Sequence, residues 1–303
     1  MINLLALFAN NILPILMATA IGYIASRSLK FDPKSITQTA FYIFSPALLF
    51  TLLTKNPLQG REAFLSSALI LISFIILGFS AWSIGKLLHL ERKLLAALIL
   101  VVTFGNMGNY GLALVSFAFG DEALAFASLL FVIESICVHS IGVLIASMGK
   151  FNFWQAMKGL VRVPSIYAVI FALLINTFDW TIPLPIDRTI TTLSNASIPV
   201  MMVILGIQLE HSDGLEHLPV LGVASLLRFG GSVLIAFILS SFFNLKGSAL
   251  QASVIQLAMP SAVINTIIAN QFDAHPSFVT NAVLITTLIS PFVLTPVLYF
   301  LGA

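Results

Sequence analysis

Charge is what this chain has least of. Its 14 basic and 12 acidic residues are only 9% of 303 positions, against roughly 25% in a typical soluble domain. So few charges cannot cover the exterior of a water-soluble protein of this length, which excludes a cytosolic enzyme and a disordered chain alike. The net charge of +2 gives no grip on a polyanion, so no nucleic-acid partner is expected. Cysteine is almost missing. Cys137 alone permits no internal disulfide and no Cys-rich metal site, and a secreted disulfide scaffold is excluded with them. Catalytic signatures are absent too: no His-Glu-x-x-His, Gly-x-Ser-x-Gly, P-loop or paired-aspartate motif. No enzyme activity, metal or cofactor is expected.

What is present is apolar surface, 59% of the chain. A helix needs about 20 apolar residues to cross the hydrocarbon core of a bilayer. Stretches without Asp, Glu, Lys or Arg run 1–26, 35–54, 63–85, 94–120, 163–178, 189–209, 247–272 and 274–303. Two more, about 121–148 (past Asp121 and Glu122 at its edge) and 217–243, are each interrupted by one charge, Glu134 and Arg228. Ten spans of an all-α polytopic membrane protein are therefore expected. The runs are apolar on every face, which excludes a barrel of alternating strands. The first span lacks a basic leader and carries Arg27, Lys30 and Lys34 after it, so it reads as a span rather than a signal peptide. With the N-terminus outside, nine basic residues (Arg27, Lys30, Lys34, Lys86, Arg92, Lys93, Lys150, Lys158, Arg162) fall in inner loops and four (Lys55, Arg61, Arg188, Lys246) in outer ones. The positive-inside rule then puts both termini outside the cell membrane.

The longest inner loop, 149–162, divides the chain into 1–148 and 163–303, five spans each. Five is odd, so the second half would cross in the opposite sense. Landmarks recur at a near-constant offset: Pro14 with Pro164, Pro46 with Pro199, Lys93 with Lys246, Phe119 with Phe272. Inverted repeats of this kind typify secondary transporters, whose sites lie near the midplane at broken helices.

Span four contains Thr103-Phe-Gly-Asn-Met-Gly-Asn-Tyr-Gly111. A polar, glycine-rich run at mid-bilayer is poor helix material, and its freed backbone groups are tolerated only inside protein or against a watery cavity. The equivalent place in span nine reads Gln256-Leu-Ala-Met-Pro-Ser-Ala-Val-Ile-Asn265, where Pro260 removes an N–H and clashes with the preceding turn. Two breaks crossing near the midplane would aim half-helix N-termini at one small volume, holding an anion without many cationic side chains. The competing explanation is close packing of small residues, which accounts for neither Asn106 and Asn109 nor a matched break in both halves.

These residues resemble a known family. Gly105-Asn-Met-Gly-Asn-Tyr-Gly-Leu112, with Ala196-Ser-Ile-Pro-Val-Met-Met-Val-Ile-Leu-Gly-Ile-Gln-Leu209 and Ala258-Met-Pro-Ser-Ala262, is similar to the motifs of the auxin efflux carriers, the PIN-FORMED proteins of plants among them. The likeness spans the chain and suggests a compact prokaryotic member. The family's proline after the span-four glycines is Ala113 here, so that break rests on Gly105, Gly108 and Gly111. The resemblance implies the fold of bile-acid symporters and sodium/proton antiporters, with spans 1, 2, 6 and 7 as scaffold and spans 3–5 and 8–10 as a mobile core. It implies elevator-like transport of a small organic anion, auxin-like or malate- or malonate-like, by a homodimer joined through the scaffold. The substrate-binding set it suggests is Gly105, Asn106, Gly108, Asn109, Tyr110, Met259, Pro260, Ser261 and Asn265. Ser45, Pro46 and Pro199 would face that site from the scaffold.

Two other function classes stay open: a sodium- or proton-coupled symporter of the bile-acid type, and a non-transporting receptor or intramembrane enzyme. Gln256 and Asn265 would supply oxygens to a coupling cation. His211, Asp213, Glu216 and His217 cluster in a loop without ligand spacing and read as solvated. His139 reads as a hydrogen-bonded core histidine, and Trp82, Trp154 and Trp180 as interfacial anchors. Glu134 and Arg228 are the only deep charges, and a lone charge at the bilayer centre costs at least about 2.5–3.5 kcal/mol. A static ion pair between spans five and eight is expected. The alternative is that Arg228 holds the anion or Glu134 takes up a proton.

Overall fold

The computed structural model describes residues 4–29, 33–56, 58, 60–147, 164–209 and 217–303. The inner loop 149–162, with Trp154, and His211, Asp213 and Glu216 lie outside the described residues. All regular structure in the described residues is helical. Helices α1 (Leu4–Leu29), α2 (Ser35–Lys55) and α3 (Gly60–Leu87) come first, then the short α4 (Arg92–Thr103). The 40-residue stretch Met107–Ala146 follows. It is not one rod: Gly120, at φ 75° and ψ −165°, adopts a backbone that only glycine takes without strain and divides it into α5 (107–119) and α6 (121–146). Next are α7 (Pro164–Phe178), α8 (Leu184–Leu209) and α9 (Leu218–Phe242). Two short helices, α10 (Gly247–Ala258) and α11 (Ile264–Phe272), precede α12 (Pro276–Leu301).

Seven of these stretches are long and apolar enough to cross a membrane, Met107–Ala146 counted as one. The charge-free runs 94–120 and 247–272 are instead helix pairs, α4 with α5 and α10 with α11, and α7 has 15 residues. The protein is an all-α polytopic membrane protein.

The helices pack in two groups. In one, α8 lies along α1 and α2, and α2 along α7. The α1–α8 contact is so close that a Cβ on Gly22 or Gly206 would collide with the backbone of Val203 or Thr19, the small-residue packing that stands in for hydrophobic drive inside a bilayer. In the other group, α10 packs on α6, α9, α3 and α12, and α3 on α4 and α6. The groups meet where α2 lies against α6 and α8 against α5. Large apolar side chains remain exposed on the outer faces, among them Phe79, Phe171, Phe242, Phe292 and Phe300, as a lipid-facing surface requires.

Candidate functional site

The site grows from two breaks that satisfy each other's backbone. Helix α4 stops where Phe104 turns extended, at φ −103° and ψ 120°, because the Gly-Asn run after it has weak helix propensity. Helix α10 stops at Met259, at φ −63° and ψ 149°, the conformation that the ring of a following proline enforces. The two extended segments then pair antiparallel, Gly105 opposite Ser261. The Asn106 N–H donates to the Pro260 carbonyl at 2.7 Å, and the Ala262 N–H to the Phe104 carbonyl at 3.0 Å. Side chains brace the joint. Asn265 Nδ2 reaches the Leu100 and Phe104 carbonyls and Ser261 Oγ at 3.2–3.3 Å, and Thr286 Oγ1 accepts the Ser261 N–H. Backbone groups that neither helix could satisfy alone are thereby paired.

Arg228 closes one end of this joint. Its guanidinium, 1% exposed, donates to four carbonyls: Nη1 to Val102 (2.9 Å) and Thr103 (3.1 Å) on α4, Nη2 to Leu257 (2.7 Å), and Nε to Met259 (2.8 Å). These carbonyls end two helices, each carrying about half a negative charge, so one cation neutralises both. A Cβ on Gly105 would strike Arg228 Nη2, which is why glycine stands there.

The N-terminal ends of α5 and α11 border a small, partly open cavity of about 100 Å³. Gly105, Asn106, Gly108 and Asn109 line it, with Thr37, Phe41 and Ser45 of α2, Phe131, Glu134, Ser135 and His139 of α6, Gln208 of α8, and Val263 and Ile264. Asn106 is 5% exposed, and its Nδ2 donor has no partner. Asn109 Nδ2 donates to Gln208 Oε1 at 3.4 Å, and Gln208 Nε2 to Thr37 Oγ1 at 2.9 Å, a polar chain joining α5, α8 and α2. Glu134, 4% exposed, lines the same cavity, and its Oε1 has no hydrogen-bond partner. His139 Nδ1 lies 2.7 Å from the Ser135 carbonyl, so that histidine is hydrogen-bonded as expected, yet it also faces the cavity.

Of the residues the sequence singled out, Gly105, Asn106, Gly108, Asn109, Ser45 and Glu134 meet at this cavity. Met259, Pro260, Ser261 and Asn265 are buried in the joint beneath it. Tyr110 turns the other way, its hydroxyl 3.1 Å from Ser290 Oγ on α12. Pro199 lines a second cavity, of about 550 Å³, with Lys55, Asn56, Asp121 and Asn195; Pro46 lines neither. Glu134 and Arg228 form no ion pair. The guanidinium is consumed by helix C-termini and the carboxylate lines the cavity, so the expected static pair is not formed. The ion pairs among the described residues lie at the surface, Lys93 with Asp273 and Glu91 with His275. The Lys93 ammonium holds the Asp273 carboxyl below the usual carboxylate range. His217 stacks edge-on against His275, and no metal-binding group of three His, Cys, Asp or Glu occurs among the described residues.

Thr37, Phe131, Ser135 and Gln208 were not foreseen. One structural signal marks the region: π-helical turns at Ala40–Phe44, Met107–Leu112 and Val138–Gly142 border the cavity, and a fourth, Leu227–Gly231, carries Arg228. Such turns insert an extra residue and are frequent at functional sites.

Comparison with known proteins agrees with this architecture. The chain is 26% identical over 265 residues to an uncharacterized transporter of Methanocaldococcus jannaschii, covering 85% of this chain and 86% of that one. It is 24% identical over 289 residues to an uncharacterized transporter of Methanothermobacter thermautotrophicus, 92% and 94% of the two chains. Auxin efflux carrier component 6 of Arabidopsis thaliana is 26% identical over 141 residues, 44% of this chain and 24% of the plant protein. The Mem_trans family model, described as membrane transport protein, matches residues 7–152 and 150–299. A chain matched over nearly its whole length, with these archaeal and plant relatives, belongs to the Mem_trans membrane transport family as a compact, prokaryotic-type relative of the auxin efflux carriers.

Proposed function

We propose that this transporter carries a small organic anion, a carboxylate of auxin-like or malate- or malonate-like kind, through the cavity at the paired breaks. The observation that carries the reading is the unpartnered amide donor of Asn106, buried at the cavity wall beside the N-terminal end of α5. The first N–H groups of a helix lack intrahelical partners and favour negative charge. An amide donor aimed at the same volume gives a carboxylate its third contact. Asn109, held by Gln208, adds a second amide that releases when a stronger acceptor arrives.

The wider reading is ten spans in two inverted five-helix repeats, residues 1–148 and 163–303, with α4–α5 and α10–α11 as the crossover spans. Support comes from the landmarks: Lys93 and Lys246 stand at the starts of α4 and α10, Phe119 and Phe272 at the ends of α5 and α11. The group of α1, α2, α7 and α8 would be the scaffold, also joining two copies, and the rest a core that shifts past it in an elevator-type cycle. Both termini would lie outside the cell membrane. Proteoliposomes loaded with radiolabelled indole-3-acetate or malonate test the transport reading: counterflow is expected, and its absence for every carboxylate tried refutes it.

Sodium coupling is the second reading. Two buried acceptors, Gln256 Oε1 and Asn265 Oδ1, have no donor, as oxygens awaiting a cation would. Counterflow that requires sodium would favour it.

A further inference from the structure

Glu134 lines the volume that an anionic substrate would need. Its carboxylate borders the same cavity as Asn106, and is 4% exposed with Oε1 unpartnered. Arg228 makes no ion pair with it, its N–H groups going to four carbonyls instead. Two carboxylates cannot share one small cavity without like-charge repulsion that low dielectric magnifies.

From this geometry we infer that Glu134 is the proton-coupling residue of the carrier: it takes one proton for each anion bound in the cavity beside it. The inference rests on the anion reading above. The exchange balances. One anion and one proton leave the water of the cavity; Oε1, the oxygen without a partner, gains the O–H. The site carries one negative charge before and after, matched to the same fixed helix dipoles. Net binding is then of the neutral pair, anion plus proton, which is the combination that crosses a low-dielectric core most cheaply.

Few other groups compete for the role. On α6 itself Cys137 and His139 are near, and Arg228 faces Glu134 from α9. Helix α5 offers Tyr110, turned to Ser290. Helices α10 and α11 carry no titratable residue. Tyr42 of α2 is half-exposed and Lys55 stands at the second cavity. The charged residues of α3, α4 and α8 sit in their first or last turns.

The test is calorimetric binding of indole-3-acetate, and separately of malonate, to the purified full-length protein. Measurements run between about pH 7 and pH 9, where ordinary carboxylic acids stay ionised, in two buffers of different ionisation enthalpy. Wild-type affinity should fall about tenfold per pH unit over the alkaline part of this range, with about one proton taken up per anion, since linkage is reciprocal. Glu134→Gln, which keeps the shape and removes the charge, should bind with an affinity that no longer follows pH and with no proton uptake. The wild-type proton count stands even if that variant fails to fold. Flat wild-type binding without proton uptake overturns the inference while leaving the anion reading intact. The same holds for a Glu134→Gln protein as pH-dependent as the wild type. If neither probe binds either protein at any pH, the anion reading itself fails and this inference falls with it.

Discussion

Replacing Arg228 by methionine removes the cation on which both half-helices end. Methionine matches the length of the aliphatic stem, so the loss is of hydrogen bonds and charge rather than of volume. Four carbonyls, of Val102, Thr103, Leu257 and Met259, lose their donor at 2.7–3.1 Å. Each bond to a charged group contributes about 1.5–3 kcal/mol, a gross loss of about 6–12 kcal/mol. Against this, the guanidinium no longer pays its desolvation, an effective several kcal/mol. A net destabilisation of about 3–5 kcal/mol is expected, the range for stranding one side of a buried polar network, and it is a large part of the 5–15 kcal/mol of a typical domain. Thermal unfolding of detergent-purified protein should show a Tm lower by about 5–15 °C. Arg228→Lys keeps the charge but offers a point donor that cannot fork across two helix ends, so it should lose nearly as much. The double variant Glu134→Gln with Arg228→Gln discriminates further. An ion pair would make it recover most of the loss of Arg228→Gln alone; a guanidinium bound to carbonyls instead leaves them orphaned and the protein unstable. Arg228→Met within about 1 kcal/mol of wild type, or full recovery in the double variant, would refute the reasoning.

The other expected outcomes are smaller experiments. Asn106→Ala should weaken carboxylate binding by about tenfold, near the low end for a hydrogen bond to a charged group, while its Tm stays within a degree or two, since Nδ2 has no protein partner to lose; unchanged affinity by calorimetry sinks its role. Gly105→Ala should cost about 1–3 kcal/mol by overpacking against Arg228, whereas Gly60→Ala, with nothing within 4 Å, should leave the melting curve in place. Asp273→Asn should lower stability slightly at neutral pH. Because Lys93 depresses the folded-state carboxyl, its contribution is complete above the ordinary Asp range and lost as pH falls through the depressed value, so the two melting curves should converge in acid and in high salt. A cysteine at position 303 in a Cys137→Ser background should react with an impermeant thiol reagent from outside; labelling only from the cytoplasmic side contradicts the proposed orientation.

The breaks were legible because they are local. Gly105 to Gly111 and Met259-Pro260 disfavour a helix by their own backbone preferences, and each helix end falls within a residue or two of where those preferences put it. The boundary between residues 120 and 121 was legible by charge alone, through the Asp121-Glu122 pair that closes the charge-free run; the left-handed glycine that makes the turn was not. The partner of Arg228 was not. Its acceptors are main-chain oxygens 29 to 126 residues away, and a carbonyl has no sequence identity to read. Searching for an opposite charge therefore pointed to Glu134, the one visible candidate, and missed that a helix terminus can play the same part. Thr37, Phe131 and Gln208 escaped for a related reason: a single polar or aromatic residue in an apolar run looks like ordinary core until tertiary packing opens a cavity beside it.

The joint at Gly105 and Ser261 is written almost entirely in main-chain atoms, and that has a bearing on divergence. Amide-to-carbonyl pairs survive nearly any exchange of the side chains around them, so drift across the family costs the joint little provided a glycine clears room for the arginine and a proline ends the tenth helix. The lining from α2 and α8, by contrast, is set by side chains alone: Thr37, Ser45 and Gln208. Selection for a new cargo can then act on one wall while the opposite wall keeps its dipoles, its amide and its acid. Relatives at 24–26% identity are where that asymmetry can be looked for: a joint held while the lining from α2 and α8 changes.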